Sequence, residues 1–339
     1  MSAPLVVIDA DVLGRRRTGD ETYALNLLRE LAPLAPAAEL RIVAVTRHPE
    51  LVPEGIEPYA LPARSQVLRM AWSLPRALRR LGADLIHTQH ALPLRSPCPC
   101  VVTVHDVSFA REPEMMGWKD RAVFRRVVPH AVKRAARVLT VSERTKRDLV
   151  ELYDVPPERI VVTPNGVDSA FTPGPGAHDY VLSVGAIQPR KNQVAALDAA
   201  VAVGLPLVIV GPEKDAALAA ELRRRGARLE GYVDTTRLVE LYRGAACLVQ
   251  SSRYEGFGLP VVEAMASGTP VVAVADQALR EVAGEAAVFA DGGDLASGIT
   301  AALAERDRLV AAGLERARAF SWRVTAERTF AVYREILGA

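Results

Sequence analysis

The sequence predicts an α/β protein built from two doubly wound domains, and three observations support that prediction. Short aliphatic runs alternate with helical patterns along most of the chain. Many of these runs are apolar on both faces, which is typical of strands in a buried parallel sheet. The chain has 339 residues, 50% of them hydrophobic and 24% charged, which suits two globular domains of ordinary size.

The first half of the chain is predicted to form one domain. Its strands are expected at residues 5–8, 40–45, 85–87, 101–105, 138–141 and 160–163. Its helices are expected at residues 22–34, 66–81, 119–136 and 143–152, with Pro129 kinking or breaking the third. In sheets of this kind, ligands bind beyond the carboxyl ends of the strands.

A turn-rich stretch over residues 163–176 marks the boundary to the second domain. A second series of strands is expected at residues 180–184, 207–210, 229–233, 247–250, 271–274 and 287–289. The expected domains are therefore residues 1–166 and residues 167–322, both of the Rossmann-like type.

Composition narrows the possible functions. The net charge is +2, which does not indicate nucleic-acid binding. Residues 1–170 are modestly basic, with 24 Lys and Arg against 20 Asp and Glu. Basic helical stretches at residues 69–80 and 121–137 suit either a solvated face or contact with anionic lipid. Three cysteines, no basic leader and no apolar run of about 20 residues predict a cytoplasmic location, with peripheral contact at the inner face of the membrane left open.

Residues 251–274 read SSRYEGFGLPVVEAMASGTPVVAV and have the form of a turn entering a helix. Gly256 and Gly258 lie in the turn, Pro260 suits the first helical position, and Gly268 suits the end of the helix. A glycine-rich turn at a helix N-terminus offers amide N–H groups and a positive dipole end to phosphate. This stretch therefore predicts a phosphate-binding turn.

Two carboxylates, Glu255 and Glu263, flank that turn eight positions apart. Carboxylates repel phosphate, and an ionised carboxylate only accepts hydrogen bonds, so its natural partners are hydroxyl-rich groups. A ligand with phosphates in the middle and polyols at both ends satisfies both requirements. A nucleotide sugar is such a ligand.

A pair of cations, Arg190 and Lys191, follows the strand at 180–184 in the run V-G-A-I-Q-P-R-K-N. The helix dipole disfavours cations at a helix start, so their position favours a functional role. A diphosphate leaving group needs its growing negative charge neutralised, and cations can do this without a metal. The pair is expected beside the diphosphate.

The pattern E-G-F-G-L-P-x-x-E-A-M-A-x-G-x-P-V, at residues 255–271, resembles the paired-glutamate signature of the family 4 glycosyltransferases, retaining enzymes of the GT-B fold. The resemblance covers nearly the whole chain and is strongest over residues 161–274. It implies two doubly wound Rossmann-like domains facing a central cleft, with the final helix, at about residues 323–339, crossing back onto the first domain. The run G-A-I-Q-P-R-K-N is similar to the family pattern G-x-x-x-P-R-K-N of mannosyltransferase-like members.

The resemblance implies roles for the donor-side residues. Glu263 accepts from the ribose hydroxyls, Glu255 faces the transferred sugar, and Lys191 neutralises the diphosphate together with Arg190. Many family members have arginine where this chain has Ala186, so Arg190 is expected to carry more of that charge. The other expected donor-binding residues are Gly185, Tyr232, Val233, Gly256, Phe257, Gly258 and Leu259.

In the first domain, His105 and Asp106 end a predicted strand, and the family has a similar His-Asp at this point. The resemblance implies that His105 reaches the donor sugar and that Asp106 orients it. Arg17 and Thr18, in a loop poor in glycine compared with the family's, are interpreted as acceptor-side residues or as part of a solvated basic turn.

The D-x-D pattern of metal-dependent glycosyltransferases is also present, as Asp9 and Asp11. It lies at the end of the first predicted strand, and its neighbours do not fit a metal site. A structural or acceptor-facing role is therefore expected, and no metal ligand is assigned.

The resulting hypothesis is a metal-independent, retaining glycosyltransferase that moves a hexose from a nucleotide-diphosphate sugar to a glycan, lipid-linked or small-molecule acceptor. GDP-mannose is the first candidate donor, with UDP-glucose and similar donors left open. No cofactor and no nucleic-acid partner are expected. The alternatives are an epimerase or hydrolase of the same fold, a non-catalytic sugar-nucleotide-binding protein, and a dehydrogenase, although G-x-G-x-x-G is missing after the first strand.

Overall fold

The computed structural model describes residues 3–15, 18–63, 65–115 and 117–338. The chain forms two compact units. The first takes in the described residues up to Val107, then Lys119–Asn165 and the segment from Trp322 onward. The second takes in Ser108–Trp118 and Gly166–Ser321.

The first unit contains a parallel sheet of seven strands in the order β3-β2-β1-β4-β5-β6-β7. The strands are β1 Leu5–Asp9, β2 Arg41–Thr46, β3 Glu57–Ala60, β4 Leu85–Gln89, β5 Cys100–Val104, β6 Arg137–Thr140 and β7 Ile160–Val162. All five residues of β1 and of β5 are buried, which explains their continuous apolar sequences. Strand β3 was not predicted, because it is an exposed edge strand, EPYA, with no apolar run.

The helices of this unit are α1 Thr18–Leu31, α2 Gln66–Leu68, α3 Leu74–Leu81, α5 Trp118–Arg134, α6 Glu143–Tyr153 and α14 Trp322–Leu337, while α4 Ser108–Arg111 belongs to the second unit. One prediction needs correction. The helix expected at 66–81 is interrupted by a π-helical turn, Arg69–Ser73, whose Arg69 is fully buried. Of the two outcomes predicted at Pro129, a kink or a break, the break does not occur, because helix α5 continues through this residue.

The second unit contains a parallel sheet of six strands in the order β10-β9-β8-β11-β12-β13. The strands are β8 Tyr180–Val184, β9 Leu207–Val210, β10 Arg228–Gly231, β11 Ala245–Gln250, β12 Val271–Val274 and β13 Ala287–Ala290. The helices are α7 Gln193–Ala202, α8 Ala216–Arg224, α9 Thr235–Gly244, α10 Leu259–Ala266, α11 Gln277–Ala283, α12 Leu295–Ala304 and α13 Arg306–Ala317. Strand β10 ends at Gly231, two residues before the expected end, so Tyr232 and Val233 lie in the following loop.

Each sheet has one point where the direction of winding reverses. It lies between β1 and β4 in the first unit and between β8 and β11 in the second. Loops that leave the carboxyl ends of these neighbouring strands diverge to opposite faces of the sheet and leave a crevice for ligands. Among the described helices, none combines the length and apolar character needed to cross a bilayer.

Candidate functional site

The winding reversal of the second unit brings two loops together. Residues 185–192 follow β8 and residues 251–258 follow β11, and these strands are paired, with Leu182 opposite Leu248. The base of the first loop packs closely against Gly211, which follows β9: a Cβ on Gly211 would lie 2.3 Å from the carbonyl oxygen of Gly185. The loop then makes a 3₁₀ turn at Pro189–Lys191, and Asn192 follows in the left-handed conformation with φ of 50° before α7 begins.

The sequence places Lys191 and Glu255 64 positions apart, and the fold joins them in an ion pair. Lys191 Nζ lies 2.5 Å from Glu255 Oε1, and Gln250 Nε2 donates to the same oxygen at 2.6 Å. Arg190 Nη1 lies 3.6 Å from Glu255 Oε2 and donates to the carbonyl of Tyr254 at 2.6 Å. The two cations and the carboxylate therefore form one cluster at the crevice.

Burial and charge oppose each other at Glu255. Burial favours the protonated acid, but Lys191 and then Arg190 outweigh that effect, so the pKa of Glu255 lies below its ordinary value. Glu255 is consequently ionised at neutral pH. As a buried ionised carboxylate with its cations already in place, it is a rigid hydrogen-bond acceptor for a polar ligand.

Helix α10 begins at the tip of the second loop. Gly258 is its N-cap, with φ of 104°, and Pro260 lies in its first turn. A Cβ at Gly258 would meet Leu279 Cδ2 at 2.6 Å, so only glycine fits this entry into the helix. Gly256 and Phe257 are buried, and the ring of Phe257 packs edge-on against Phe320. The turn therefore leads directly into the N-terminus of α10, and phosphate binding there stays a prediction.

Glu263 lies at the start of the second turn of α10 and is buried. Tyr242 donates its hydroxyl to Glu263 Oε2 at 2.8 Å. Burial raises the pKa of Glu263 to about 7; repulsion from Asp168 adds to the rise and the Tyr242 hydrogen bond opposes it. The carboxyl group is therefore poised to change charge near neutral pH, which Glu255 is not.

The other residues of the second unit that were singled out from the sequence differ in exposure. Tyr232 is 49% exposed in the loop after β10, and Val233 beside it is half-buried. Ala186 is buried, and its carbonyl accepts a hydrogen bond from Gln193 Nε2 at 3.0 Å. Gly185 has φ of 147°, and Leu259 is the first residue of α10.

In the first unit, His105 lies just beyond β5, at the carboxyl edge of the sheet. Its Nε2 is 2.7 Å from Gln89 Oε1, and its ring packs edge-on against Tyr23 with the ring centroids 4.7 Å apart. Burial lowers the pKa of His105 to about 4, although the charges of Asp20 and Asp106 oppose this. His105 is therefore neutral at physiological pH. Asp106 follows it in the chain and is half-buried.

The structure does not test the acceptor-side role predicted for Arg17 and Thr18. Arg17 lies outside the described residues. Thr18 is the first residue of α1, and only its backbone is described.

Asp9 and Asp11 are held by arginines. Arg69 Nη1 donates to Asp9 Oδ2 at 2.7 Å, and Arg47 Nε donates to Asp11 Oδ1 at 2.9 Å. Arg15 Nη1 adds a contact to Asp11 Oδ2 at 3.0 Å. Because guanidinium groups occupy these carboxylate oxygens, the pair has the environment of a structural ion-pair network.

Several residues that contribute to these sites were not identified from the sequence. Gln250 and Tyr242 bond the two glutamates, and Gln89 orients His105. His87 links Tyr333 of α14 to Thr103 of β5 by hydrogen bonds of 2.5 and 2.7 Å. A polar residue at the end of an apolar strand is the only signal that Gln89 and Gln250 offered; Tyr242, inside a helix, offered none.

Comparison with known proteins identifies the family. A profile described as Glycosyltransferase Family 4 matches residues 17–171, and one described as Glycosyl transferases group 1 matches residues 169–318. The O-antigen chain mannosyltransferase B of Escherichia coli is 32% identical over 69% of this chain and 70% of its own length. The chain is a family 4 glycosyltransferase.

Two further proteins extend this comparison. A D-inositol 3-phosphate glycosyltransferase of Acidothermus cellulolyticus is 31% identical to this glycosyltransferase over 96% of the chain and 83% of its own length. The crystal structure of Anabaena HepE in complex with UDP-glucose matches it with a TM-score of 0.75 at 15% identity, covering 98% of this chain and 99% of the other. At that identity the structural match establishes the fold, which is GT-B.

Proposed function

We propose that this glycosyltransferase transfers a hexose from a nucleotide-diphosphate sugar with retention of anomeric configuration and without a metal cofactor. The observation that carries the proposal is the cluster that buried Glu255 forms with the partly buried Lys191 and Arg190, in the loops at the N-terminus of α10. Cations and helix amides at one crevice suit a diphosphate, and a buried ionised carboxylate suits the hydroxyls of a sugar.

In the proposed reaction, the acceptor hydroxyl oxygen bonds to the anomeric carbon on the face from which the diphosphate departs. The bond between the anomeric carbon and the phosphate oxygen breaks, and its electron pair goes to the diphosphate. A phosphate oxygen of the leaving group takes the acceptor's proton. Lys191 and Arg190 stabilise the charge that develops on the diphosphate, and Glu255 holds both Lys191 and the transferred sugar.

Glu263 is proposed to accept hydrogen bonds from the ribose hydroxyls, with the base near Tyr232 and Val233. In the first unit, His105 is proposed to reach the donor sugar. Because its pKa is lowered, it can donate or accept one hydrogen bond as a neutral imidazole without adding charge. Asp106 is proposed to support its orientation.

GDP-mannose remains the first candidate donor, supported by the O-antigen mannosyltransferase among the relatives. UDP-glucose stays open, because HepE of similar fold was crystallised with it. A panel of GDP- and UDP-sugars in a thermal-shift assay discriminates between them, since a ligand at 100 times its Kd stabilises the fold by about 2.7 kcal/mol. Product analysis by NMR then reads the anomeric configuration; inverted product, or free sugar without acceptor, would refute retaining transfer.

Metal independence is proposed from the same cluster, because its two cations can neutralise the diphosphate. Turnover should persist in excess EDTA. Loss of turnover that Mg²⁺ or Mn²⁺ restores would return Asp9 and Asp11 to consideration.

A peripheral contact with an anionic membrane surface is proposed through the patch formed by Val67, Leu68, Trp72 and Leu94. These side chains are 75%, 56%, 58% and 60% exposed, and Leu94 N donates to the carbonyl of Met70 on the same helical stretch. The Arg76 guanidinium lies 5.0 Å from the centre of the Trp72 ring. Four exposed arginines, Arg76, Arg79, Arg80 and Arg95, lie on the same stretches, and residues 58–105 contain one acidic residue, so the proposed membrane-facing surface is basic.

Vesicle co-sedimentation tests this contact. Trp72→Ser and Leu68→Ser should reduce binding to vesicles containing phosphatidylserine, whereas Val201→Ser, at an equally exposed position of the second unit, should not. Equal binding by all three variants would exclude the patch. A membrane-bound, lipid-linked acceptor is the acceptor class that such a contact favours.

A further inference from the structure

Three metal-ligating side chains meet at the carboxyl edge of the first sheet. Asp20, His90 and His105 each offer one ligand atom, and these atoms all lie within 4.8 Å of one another. Asp20 is in the first turn of α1, His90 follows β4, and His105 follows β5. The winding reversal between β1 and β4 is what brings these three segments together.

His105 is oriented for coordination. Its Nε2 is 2.7 Å from Gln89 Oε1, an amide oxygen that can only accept, so Nε2 carries the proton. The lone pair is therefore on Nδ1. Metal-bound histidines characteristically donate their second ring N–H to a neighbouring oxygen in this way, which fixes the tautomer.

His90 has two unusual features that an ordinary surface histidine lacks. Its backbone is in the left-handed region with φ of 60°, a conformation that costs a non-glycine residue free energy and is concentrated at functional sites. Its Nδ1 is buried and has no hydrogen-bond partner within the described part of the chain. A buried, unsatisfied nitrogen beside two other ligand atoms indicates that a bound species completes the site.

We propose that Asp20, His90 and His105 bind a divalent transition metal, with Zn²⁺ the best match. Two imidazoles and one carboxylate form a borderline ligand set that suits Zn²⁺, Cu²⁺ or Ni²⁺ better than Mg²⁺. Three protein ligands leave a fourth position open. The ring centroids of His90 and His105 are 5.2 Å apart, a separation that one ion in contact with a nitrogen of each ring can bridge.

The metal is an inhibitor of transfer in this proposal, which rests at this step on the proposed role of His105. A metal on Nδ1 holds the His105 ring and removes it from the donor sugar. Zn²⁺ should therefore lower turnover and chelation should restore it, which agrees with the proposed metal-independent turnover.

Binding can be tested without any transfer reaction. The protein is dialysed against EDTA and titrated with Co²⁺, whose visible d–d absorption reports coordination by nitrogen and oxygen ligands; Zn²⁺ should then displace it. We expect one equivalent to bind. His90→Asn and Gln89→Ala should each weaken binding at least about tenfold, the typical loss on removing a ligand or its supporting hydrogen bond.

The chain provides a matched control. His178 also has a positive φ, 56°, but lies in the second unit, and asparagine tolerates this backbone region, so His178→Asn repeats the substitution away from the cluster. It should keep the Co²⁺ spectrum and the Zn²⁺ inhibition. His90→Asn should lose both, measured for inhibition as the ratio of turnover with and without Zn²⁺.

The outcomes separate this proposal from the proposed function. Absent Co²⁺ absorption, or equal affinity of His90→Asn and His178→Asn, would overturn the metal site whatever the enzyme's activity. Variants that raise only the acceptor KM, with no metal bound, would assign the cluster to acceptor hydroxyls instead. Metal binding without inhibition would leave the site in place but overturn the inhibitory role.

Discussion

At the scale of single residues, the two glutamates of the family signature, Glu255 and Glu263, have different surroundings and different pKa values. Glu255 is surrounded by cations and has a lowered pKa, while Glu263 is bonded to a tyrosine and has a raised one. The difference follows from their neighbours and not from their depth, since both are buried. The difference agrees with the separate roles proposed for them, Glu255 toward the transferred sugar beside the cations and Glu263 toward the ribose hydroxyls.

Lys191→Ala should lower kcat by about 10²–10³, because the lysine charge is needed most as the diphosphate leaves. Binding of the donor should weaken less. Steady-state kinetics measure both, with Lys214→Ala, an exposed lysine after β9, as the control. Near-normal turnover of the variant would move the leaving-group role to Arg190 alone.

Substitutions of the two glutamates should affect different kinetic parameters. Glu263→Gln should weaken the binding of the free nucleotide and of the whole donor alike and raise KM, because the ribose does not react. Glu255→Gln should lower kcat and change the preference among donor sugars, while it spares or strengthens nucleotide binding, since Lys191 loses its carboxylate partner. Calorimetry with GDP and UDP separates the two cases, and the opposite pattern would reverse the orientation of the donor.

Glu263 should also make stability depend on pH. Its pKa is raised from 4.5 to about 7 in the folded protein, so the folded state binds more protons between these values and loses stability as pH rises through them. The change amounts to about 3 kcal/mol. Relative to the parent, Glu263→Gln should therefore gain stability from pH 5 to pH 8. Denaturant titrations at both pH values measure it, and a constant difference would contradict the raised pKa.

At the scale of elements, helix α10 depends on how the chain enters it. Gly258 combines a positive φ with a close approach to Leu279, and both restrict the position to glycine. The helix in turn carries Glu263. One backbone position is thus expected to affect both the stability of the helix and the geometry of the proposed phosphate site.

Gly258→Ala should lose stability and weaken nucleotide binding about tenfold or more, since a hydrogen bond to a charged group contributes about 1.5–3 kcal/mol. Gly226→Ala is the matched control. It has φ of 95° but nothing within 4 Å of the added Cβ, so it carries the backbone strain without the contact. It should lose stability by about 1–2 kcal/mol and keep nucleotide affinity. Equal affinities for both variants would show that the α10 entry does not position the phosphates.

At the scale of the whole molecule, the last helix belongs to the first unit although it follows the second in sequence. Helix α14 packs against α1, and its Tyr333 is fully buried and bonded to His87. Burial lowers the pKa of His87 to about 3, so it stays neutral, and it continues the chain of hydrogen bonds to Thr103 and Tyr23. The end of the chain therefore supports the sheet edge on which His105 lies.

Tyr333→Phe should destabilise the first unit by about 1–3 kcal/mol, because it leaves a buried imidazole nitrogen without its partner. Tyr59→Phe, on the exposed edge strand β3, should change stability by less than about 0.5 kcal/mol. Thermal unfolding monitored by circular dichroism compares them. Equal melting temperatures would mean that water replaces the lost hydroxyl.

Local sequence patterns predicted most of the secondary structure of this protein. The two sheets, most strand positions and the turn into α10 follow from local patterns, because apolar runs, glycines and Pro260 act on their own segments. The residue types of the proposed donor site were recognisable for the same reason, since the family signature is contiguous. Edge strand β3 and the π-helical turn were missed, because an exposed strand has no apolar run and a buried arginine depends on remote carboxylates.

Only the tertiary structure decided which groups meet. Lys191 reaches Glu255, Tyr242 reaches Glu263, and Asp20 reaches two histidines because winding reversals bring distant loops to one sheet edge. The charges of the glutamates then follow from these partners and from burial, neither of which a sequence displays. Local patterns determine elements, whereas pKa values and ligand clusters depend on distances between segments far apart in the chain.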